Sequence, residues 1–291
     1  MSKALVSPEM LRWARERVAL SIDVLAEKLG TKPEKLTAWE EGGSQPTFRQ
    51  AEKIAAVLHV PFGFLFLPEP PEERLPIPDL RRHDDARLEE LSADARDLLR
   101  DVMLKLDWFR DFLQEHGAEE RPFVGRFDIG TPVDTVAADI RTVLGIEPGT
   151  GRSGTWEQHL GDVFERCEDA GIWIMRTGYV GSNTHRTLST ADFRGFAVAD
   201  KLAPIVFING RDAKAAQAFT LAHELAHIWL GASGVSNPAL DRHTDGSGNI
   251  ELVCNAIAAE VLVPRALLLK SWDGSRSLAA NAQSLSQVFR V

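Results

Sequence analysis

The sequence has very few cysteines. Only Cys167 and Cys254 occur among 291 residues. A disulfide framework, or a zinc site built from thiolates, would need more of them. We therefore exclude a disulfide-stapled secreted scaffold and expect a protein of the reducing cytoplasm.

Long apolar runs and export signals are also missing. PIVFI at 204–208 and FGFLF at 62–66 have the length of a strand or a helical turn, whereas a membrane-spanning helix needs about 20 apolar residues. The N-terminal stretch MSKALVSPEMLRWARERVAL carries charges among its apolar residues and lacks the apolar core of a signal peptide. The sequence thus predicts no membrane partner.

An excess of positive charge is absent as well. The formal net charge is −9, and nonspecific attraction to nucleic acid depends on neutralising phosphates, so any DNA binding must be local. The composition and the length are ordinary. With 44% hydrophobic and 26% charged residues, the composition is that of an ordinary globular protein. At roughly 100–200 residues per domain, the length predicts two domains.

The region 8–66 has the pattern of five short helices joined by tight turns. Ser21 is a cap and Gly30 a terminator for the helix IDVLAEKL, Pro33 starts PEKLTAWEE, and Thr47 caps FRQAEKIAAVLHV. The apolar residues at helical spacing are Leu25, Leu29, Leu36, Trp39, Ile54, Ala55 and Leu58. They predict the core of a small all-α bundle.

Two stretches in this region, LSIDVLAEKLGTKPEKLTAWEEG and QPTFRQAEKIAAVL, resemble the DNA-binding domain of phage-repressor-like regulators of the XRE family. The resemblance implies a helix-turn-helix with residues 33–41 as the recognition helix. The DNA contacts it implies are Lys32, Glu34, Lys35 and Thr37 near the groove, and Arg49 or Gln50 near phosphates.

The charge of this region leaves an alternative open. Residues 1–67 contain nine Lys and Arg against eight Asp and Glu, a net charge of +1. That is weak for an isolated DNA-binding domain. A bundle that docks a protein or dimerises is therefore kept beside the DNA-binding interpretation.

The chain divides at a segment rich in proline and charge. We assign residues 1–67 to the helix-turn-helix domain, 68–87 to an extended linker, 88–118 to an amphipathic helical connector, 119–270 to a second domain and 271–291 to a C-terminal tail. The apolar stripe of the connector must be buried, either on the second domain or on a second copy of the chain. Burial on a second copy would make the protein a homodimer.

The second domain mixes helices with strands. Val133 to Leu144 and Trp156 to Ala170 have helical patterns. GIWIMRTGY, FRGFAVA and APIVFIN have the β-branched and aromatic content of strands, the last two separated by a turn at Asp200-Lys201. The pattern predicts an α+β domain with a small sheet.

The segment FTLAHELAHIWLG, at 219–231, carries the chemistry. His223 and His227 are four residues apart and therefore lie one turn apart on the same helix face, where both imidazoles can bind one Zn²⁺. Glu224 lies beside that face and can accept a proton from metal-bound water. The spacing predicts a catalytic zinc site, with two unrelated surface histidines as the alternative.

A catalytic zinc site commonly has three protein ligands. The later helix ELVCNAIAAEVLVP offers two carboxylates, Glu251 and Glu260. Glu251 is favoured because Asn255, four residues on, shares its face and can orient a histidine ligand. Glu260 stays the alternative.

Four stretches, GFAVAD, PIVFIN, FTLAHELAHIWL and ELVCNAIAAEVLVP, resemble the ImmA/IrrE (M78-type) metallopeptidases over about residues 170–264. The resemblance implies a zincin-like (gluzincin) fold in which His223, His227 and Glu251 bind zinc and Glu224 is the base. It also implies a substrate, a transcriptional repressor whose cleavage derepresses stress or mobile-element genes.

The sequence is compatible with two functions. The first is a zinc endopeptidase addressed by its helix-turn-helix domain, and the second is a DNA-binding regulator whose zinc domain is structural or a sensor. A structural zinc site gives no purpose to Glu224, which favours the enzyme. By residue type alone, the candidates for stabilising an oxyanion are Tyr179, His185, Arg242 and His243.

Overall fold

The computed structural model describes residues 2–71, 91–149, 156–236 and 247–289. The chain separates into two compact units, the first within residues 2–71 and the second from residue 91 onward. The predicted linker 68–87, Leu88 of the predicted connector, and the loop with Arg242 and His243 fall mostly or wholly outside the described residues.

The first unit is all-α. Its helices are α1 (Pro8–Arg17), α2 (Ile22–Leu29), α3 (Pro33–Glu40), α4 (Phe48–Leu58) and a 3₁₀ helix at Phe62–Phe66. The predicted boundary residues act as expected: Ser21 caps α2, Gly30 ends it in a left-handed conformation, and Pro33 begins α3. The predicted helical bundle is confirmed.

The predicted end of α4 differs from the structure. Thr47 and Gln50 form a reciprocal capping box that starts α4, as the sequence suggested. The helix then ends at Leu58, two residues before the predicted Val60. The reason is His59, which takes a left-handed conformation with φ of 55° and terminates the hydrogen-bond ladder.

The core of the first unit forms between α1, α2, α3 and α4. Trp39, Leu36 and Leu58 are almost fully buried within it. Arg15 of α1 donates hydrogen bonds of 2.8 and 2.9 Å to the two carboxylate oxygens of the buried Glu40. This bidentate pair ties α1 to the end of α3.

The second unit is α+β, as predicted. Its helices are α5 (Ala93–Glu115), α6 (Val133–Leu144), α7 (Trp156–Asp169), α8 (Lys214–Trp229), α9 (Ser247–Leu262), α10 (Arg265–Ser271) and α11 (Leu278–Phe289). Its strands are β1 (Trp173–Thr177), β2 (Gly195–Val198), β3 (Ile205–Asn209) and β4 (Gly234–Ser236).

The four strands form one mixed sheet in the order β1-β3-β2-β4. β1 runs parallel to β3, whereas β2 is antiparallel to both β3 and β4. Side chains alternate between two apolar layers: Val206 and Ile208 face the layer of α6, α8 and α9, and Ile205 and Phe207 face the layer of α5. The sheet therefore separates two hydrophobic cores.

The amphipathic connector is a single helix, α5, capped by Ser92. Leu98, Leu99 and Val102 of its apolar stripe are buried with Phe196 of the sheet. Of the two predicted alternatives, packing on the second domain is the one observed. Leu104, Trp108 and Phe112 lie on the opposite, exposed face.

The segment predicted as a C-terminal tail contains a helix, α11. Leu285 and Phe289, four residues apart, are both buried. Asn281 is 2% exposed, and its amide donates a hydrogen bond of 2.9 Å to the carbonyl oxygen of Asp273. The segment therefore packs as part of the second unit.

No single described helix has the length and apolar character needed to cross a membrane. The bent pair Asn249–Leu262 and Arg265–Ser271 meets those requirements only when its two helices are counted together. Cys254, Ile257, Ala258 and Val261 of the first of these helices are buried in the apolar core that it shares with α8.

We predict that Leu99→Ala destabilises the second unit by about 2–5 kcal/mol, because it leaves a cavity where a fully buried side chain packs against the sheet. Leu104→Ala in the same helix is the matched control, since Leu104 is 70% exposed, and it should change stability by less than about 0.5 kcal/mol. Denaturant unfolding followed by circular dichroism measures both. Equal effects of the two substitutions would contradict the packing of α5 on the sheet.

Candidate metal centre

The helix α8 carries polar side chains into the protein interior. His223, Glu224 and His227 are 1%, 0% and 2% exposed. Leu225 and Ala226, on the remaining faces of the same helix, are buried in the apolar core. Burying three ionisable groups in such a helix is costly unless they share partners.

Hydrogen bonds fix both ends of α8. At its start, the buried Gln217 donates a bond of 2.7 Å to the carbonyl oxygen of Asp212. At its end, the indole N–H of Trp229 donates a bond of 2.7 Å to Asp139 of α6, and Asp139 also pairs with Arg126 at 2.7 Å. These contacts fix the position of α8, and with it that of the two histidines, relative to α6 and to the loop before α8.

The helix α9 packs along α8 and brings Glu251 to the two histidines. One carboxylate oxygen lies 3.0 Å from Nε2 of His223, and the other lies 3.3 Å from Nε2 of His227. The two Nε2 atoms are 3.0 Å apart. Three potential ligand atoms thus converge on one point between the helices.

These separations match those around a tetrahedral zinc ion. Ligand atoms about 2.0–2.1 Å from such an ion lie roughly 3.3 Å from one another, since the edge of a tetrahedron is about 1.6 times its centre-to-corner distance. The two Nε2 atoms are 3.0 Å apart, close to that edge, and each has one oxygen of Glu251 at 3.0 or 3.3 Å, the two contacts being made by different oxygens of the carboxylate. Two imidazoles and a carboxylate also form a donor set that zinc favours. The residues therefore fit this metal.

Asn255 lies one turn beyond Glu251 on α9 and contacts the first histidine. Its side-chain oxygen is 3.0 Å from Nδ1 of His223. When Nδ1–H donates to this oxygen, the lone pair of Nε2 points toward Glu251 and His227. The amide thus orients the imidazole for metal binding.

The charges of the cluster favour an ionised carboxylate. Burial by itself raises the pKa of Glu251, but the hydrogen bonds and charges of His223 and His227 outweigh it, and the pKa is well below its usual range. Burial lowers the pKa of His223, but its bond to Glu251 and the charges of Glu224 and Glu251 outweigh that effect and raise it. A deprotonated Glu251 is the form that binds a cation.

The alternative carboxylate, Glu260, lies elsewhere. Its oxygen accepts a hydrogen bond of 3.1 Å from the backbone N–H of Arg265, just after Pro264. Its backbone carbonyl accepts a bond of 2.6 Å from Arg141. The structure therefore brings Glu251, and not Glu260, to the histidines.

Gly195 of β2 leaves the space in which the side chain of Glu224 lies. A Cβ at Gly195 would lie 2.8 Å from the carbonyl oxygen of Phe207 and 3.1 Å from a carboxylate oxygen of Glu224, and it would overlap the methyl group of Thr220. Only glycine leaves room for α8 to approach the sheet this closely. Gly195 was not predicted as a site residue, since no local pattern in the sequence distinguishes it from other strand glycines.

Two of the four candidates for stabilising an oxyanion, Tyr179 and His185, are not brought to this cluster. Tyr179 is 41% exposed and lines a separate cavity, and His185 is exposed in a turn. Arg242 and His243 lie outside the described residues. The structure therefore assigns this role to neither Tyr179 nor His185.

Both cysteines are buried thiols. Burial raises the pKa of Cys167 to about 12 and also raises that of Cys254. Neither belongs to the His223, His227 and Glu251 group. Thiolate chemistry therefore has no part in this site.

The candidate DNA contacts of α3 lie on the surface of the first unit. Lys32, Glu34 and Lys35 are exposed, and the ammonium of Lys35 is 5.3 Å from the ring centre of Trp39. The hydroxyl of Thr37 donates a hydrogen bond of 3.1 Å to the carbonyl oxygen within its own helix. Contact with DNA by these residues stays a prediction.

The two candidates in α4 differ from each other. Arg49 is exposed at the start of the helix. Gln50 instead accepts a hydrogen bond of 2.9 Å from the backbone N–H of Thr47, so its side-chain oxygen is committed to the capping box. Arg49 is therefore the better candidate for a phosphate contact.

Comparison with protein families agrees with both units. Residues 167–291 match the family model Peptidase_M78, described as an IrrE N-terminal-like domain, and residues 11–65 match the helix-turn-helix model HTH_3. The two matches agree with the architecture that the sequence predicted, a helix-turn-helix region followed by a region similar to the M78 peptidases. The M78 match begins in α7 and continues through the segment predicted as a tail. No curated protein and no solved structure matches the chain.

We predict that His223→Ala, His227→Ala and Glu251→Ala each lose most of the zinc that the parent protein retains, because each removes one of three ligands. Elemental analysis of dialysed protein measures the metal per chain. Glu260→Ala is the matched control and should keep the parental content. Full zinc in Glu251→Ala together with loss in Glu260→Ala would overturn the ligand assignment.

Proposed function

We propose that this protein is a zinc-dependent endopeptidase in which His223, His227 and Glu251 hold the metal and Glu224 is the general base. The observation that carries the proposal is the convergence of those three ligand atoms within 4.8 Å on two packed helices. The match of the same region to a peptidase family supports it.

Each residue has a defined task in this proposal. Zinc bound by the three side chains would polarise the scissile carbonyl and make its bound water more acidic. The carboxylate of Glu224 would accept a proton from the attacking water and return it to the departing amine. Asn255 keeps His223 in the ligating tautomer, and Gly195 lets α8 hold Glu224 against the sheet.

The alternative is a transcriptional regulator with a structural or sensing zinc domain. The helix-turn-helix match is the observation that favours it. A structural zinc site fills all four coordination positions with protein ligands, commonly cysteine. The described cluster has three, none of them cysteine, and a buried glutamate beside them, which supports the enzyme instead.

For the substrate, we propose a transcriptional repressor whose cleavage derepresses stress or mobile-element genes. Its support is the resemblance to ImmA/IrrE peptidases together with the helix-turn-helix domain in the same chain. Such a domain would bring the peptidase to the DNA that the repressor occupies.

We also propose that the helix-turn-helix domain binds DNA through α3, usefully only when two copies act together. Its net charge of +1 over residues 1–67 leaves few phosphate contacts per copy, and pairing of two copies would double them. The apolar stripe of α5 no longer argues for a dimer, because the sheet covers it. The only remaining support for a homodimer is therefore that one copy has too little positive charge to bind DNA well.

We predict that Glu224→Gln retains zinc and loses about 10²–10⁴-fold in cleavage rate, because glutamine keeps the shape of the side chain but accepts no proton. The assay incubates purified protein with the repressor encoded beside its gene and identifies fragments by mass spectrometry. Glu165→Gln, an exposed glutamate of α7, is the matched control. Cleavage by Glu224→Gln at the parental rate would remove this residue from the mechanism.

A different result would favour the regulator. If the parent protein carries one zinc per chain and cleaves no repressor, while it binds a defined DNA sequence, the peptidase proposal fails and the alternative stands.

We predict that Lys35→Glu and Arg49→Glu weaken binding to a DNA sequence selected from a randomised pool, and that Arg49→Glu lowers the slope of log affinity against log salt by about 1 or more. Lys270→Glu makes the same charge change in the second unit and should leave DNA binding unchanged. Zinc content and peptidase activity should be parental in all three. If the parent protein selects no sequence even at low salt, the domain is a docking module for the substrate.

A further inference from the structure

A cavity lies away from the histidine cluster, at the end of the sheet where β1 finishes. Its volume is about 540 Å³, which falls in the range of roughly 300–1,000 Å³ typical of small-molecule sites. Its lining includes Phe164 and Glu168 of α7, Ile174 and Arg176 of β1, and Tyr179 and Arg211 from the following loops. It shares no residue with the proposed metal centre.

The topology of the sheet explains why the cavity forms there. β1 and β3 are parallel neighbours, so their carboxyl ends, Thr177 and Asn209, lie at the same edge. Ligands of α/β proteins commonly bind beyond the carboxyl ends of parallel strands, where the loops diverge. The loops after β1 and β3 both contribute to this lining.

Two glycines draw these loops together. The backbone N–H of Gly210 donates a hydrogen bond of 2.9 Å to the carbonyl oxygen of Thr177, and a Cβ on Gly210 would lie 3.3 Å from the nitrogen of Gly178. A Cβ on Gly178 would lie 2.8 Å from Cγ of Arg211. The stem of Arg211 therefore crosses Gly178, which directly follows the strand that ends in Arg176 and Thr177.

Arg176 and Arg211 lack the ion-pair partners that other arginines of this unit have. Arg126 pairs with Asp139, and Arg186 pairs with two aspartates. Among the described residues, no ion pair or side-chain hydrogen bond involves the guanidinium of Arg176 or of Arg211. Glu168 is the one acidic residue of the lining and forms no ion pair with either. The cavity thus has a net positive charge.

The rest of the lining is apolar and aromatic. Phe164 and Ile174 are partly buried where α7 meets the sheet. Tyr179, the single tyrosine of the chain, is 41% exposed. An aromatic ring at the rim and an apolar floor suit a flat hydrophobic group, while the guanidiniums suit an oxyanion.

We propose that this cavity binds a small organic anion. A phosphate or carboxylate group of the ligand pairs with Arg176 and Arg211, and a flat apolar part packs against Phe164 and Tyr179. The ligand site is additional to the proposed peptidase site and does not depend on it.

Isothermal titration calorimetry of the full-length protein tests the proposal with four probes. AMP is a phosphate with a flat base, benzoate is a carboxylate with a flat ring, and adenosine and inorganic phosphate each lack one half of the proposed chemistry. We expect AMP or benzoate to bind with a Kd below about 1 mM, and adenosine and inorganic phosphate to bind at least about tenfold more weakly. Binding of AMP alone would identify a phosphate ligand, and binding of benzoate alone a carboxylate.

Substitutions then locate the binding. Arg176→Gln and Arg211→Gln should each weaken the bound probe about tenfold or more, because each removes a charge-assisted contact. Arg265→Gln removes an exposed arginine outside the cavity and should bind as the parent does. All three lie at the surface, and unfolding curves verify that they fold.

Three results would overturn the proposal. The first is no binding of AMP or benzoate at millimolar concentration. The second is adenosine or inorganic phosphate binding as tightly as the complete probe, which would make the arginines or the apolar surface irrelevant. The third is unchanged affinity in folded Arg176→Gln and Arg211→Gln protein, which would move the ligand elsewhere.

Discussion

The constraint around which the second unit is built is a cluster of ionisable side chains on α8 and α9, in which His223, Glu224 and His227 are buried and Glu251 is partly buried. An ionised carboxylate in an apolar interior is unstable unless it is paired and hydrogen-bonded. Here Glu251 is shared by both imidazoles, and Asn255 holds His223 from the other side. A cation bound by this group would satisfy these ligands together and link the two helices.

Much of the surrounding fold keeps α8 in place. Gly195 lets the helix approach the sheet, and Trp229 ties its end to α6 through Asp139. The helix α5, although distant from the cluster, covers the opposite face of the same sheet. The helix-turn-helix unit has its own core and its own salt bridge between Arg15 and Glu40, so its chemistry can be altered independently by substitution.

The sequence predicted those features that depend on neighbouring residues. The spacing of His223 and His227 follows from helical geometry alone, and caps such as Ser21 and Thr47 act within one turn. Features that need tertiary contact could not be obtained in this way. The choice between Glu251 and Glu260 depended on how α9 packs, and α11 depended on a core that buries its few apolar residues. Arg176 and Arg211, 35 positions apart, become neighbours only because β1 and β3 pair in parallel.

The central claim is that one zinc ion binds between α8 and α9 through two imidazoles and a carboxylate. X-ray absorption at the zinc edge of the purified full-length protein tests it most directly, since it reports ligand types and distances. The account predicts two nitrogen ligands at about 2.0–2.1 Å, the remaining ligands oxygen, and no sulfur near 2.3 Å. A sulfur ligand, or a zinc site lacking histidine, would contradict it.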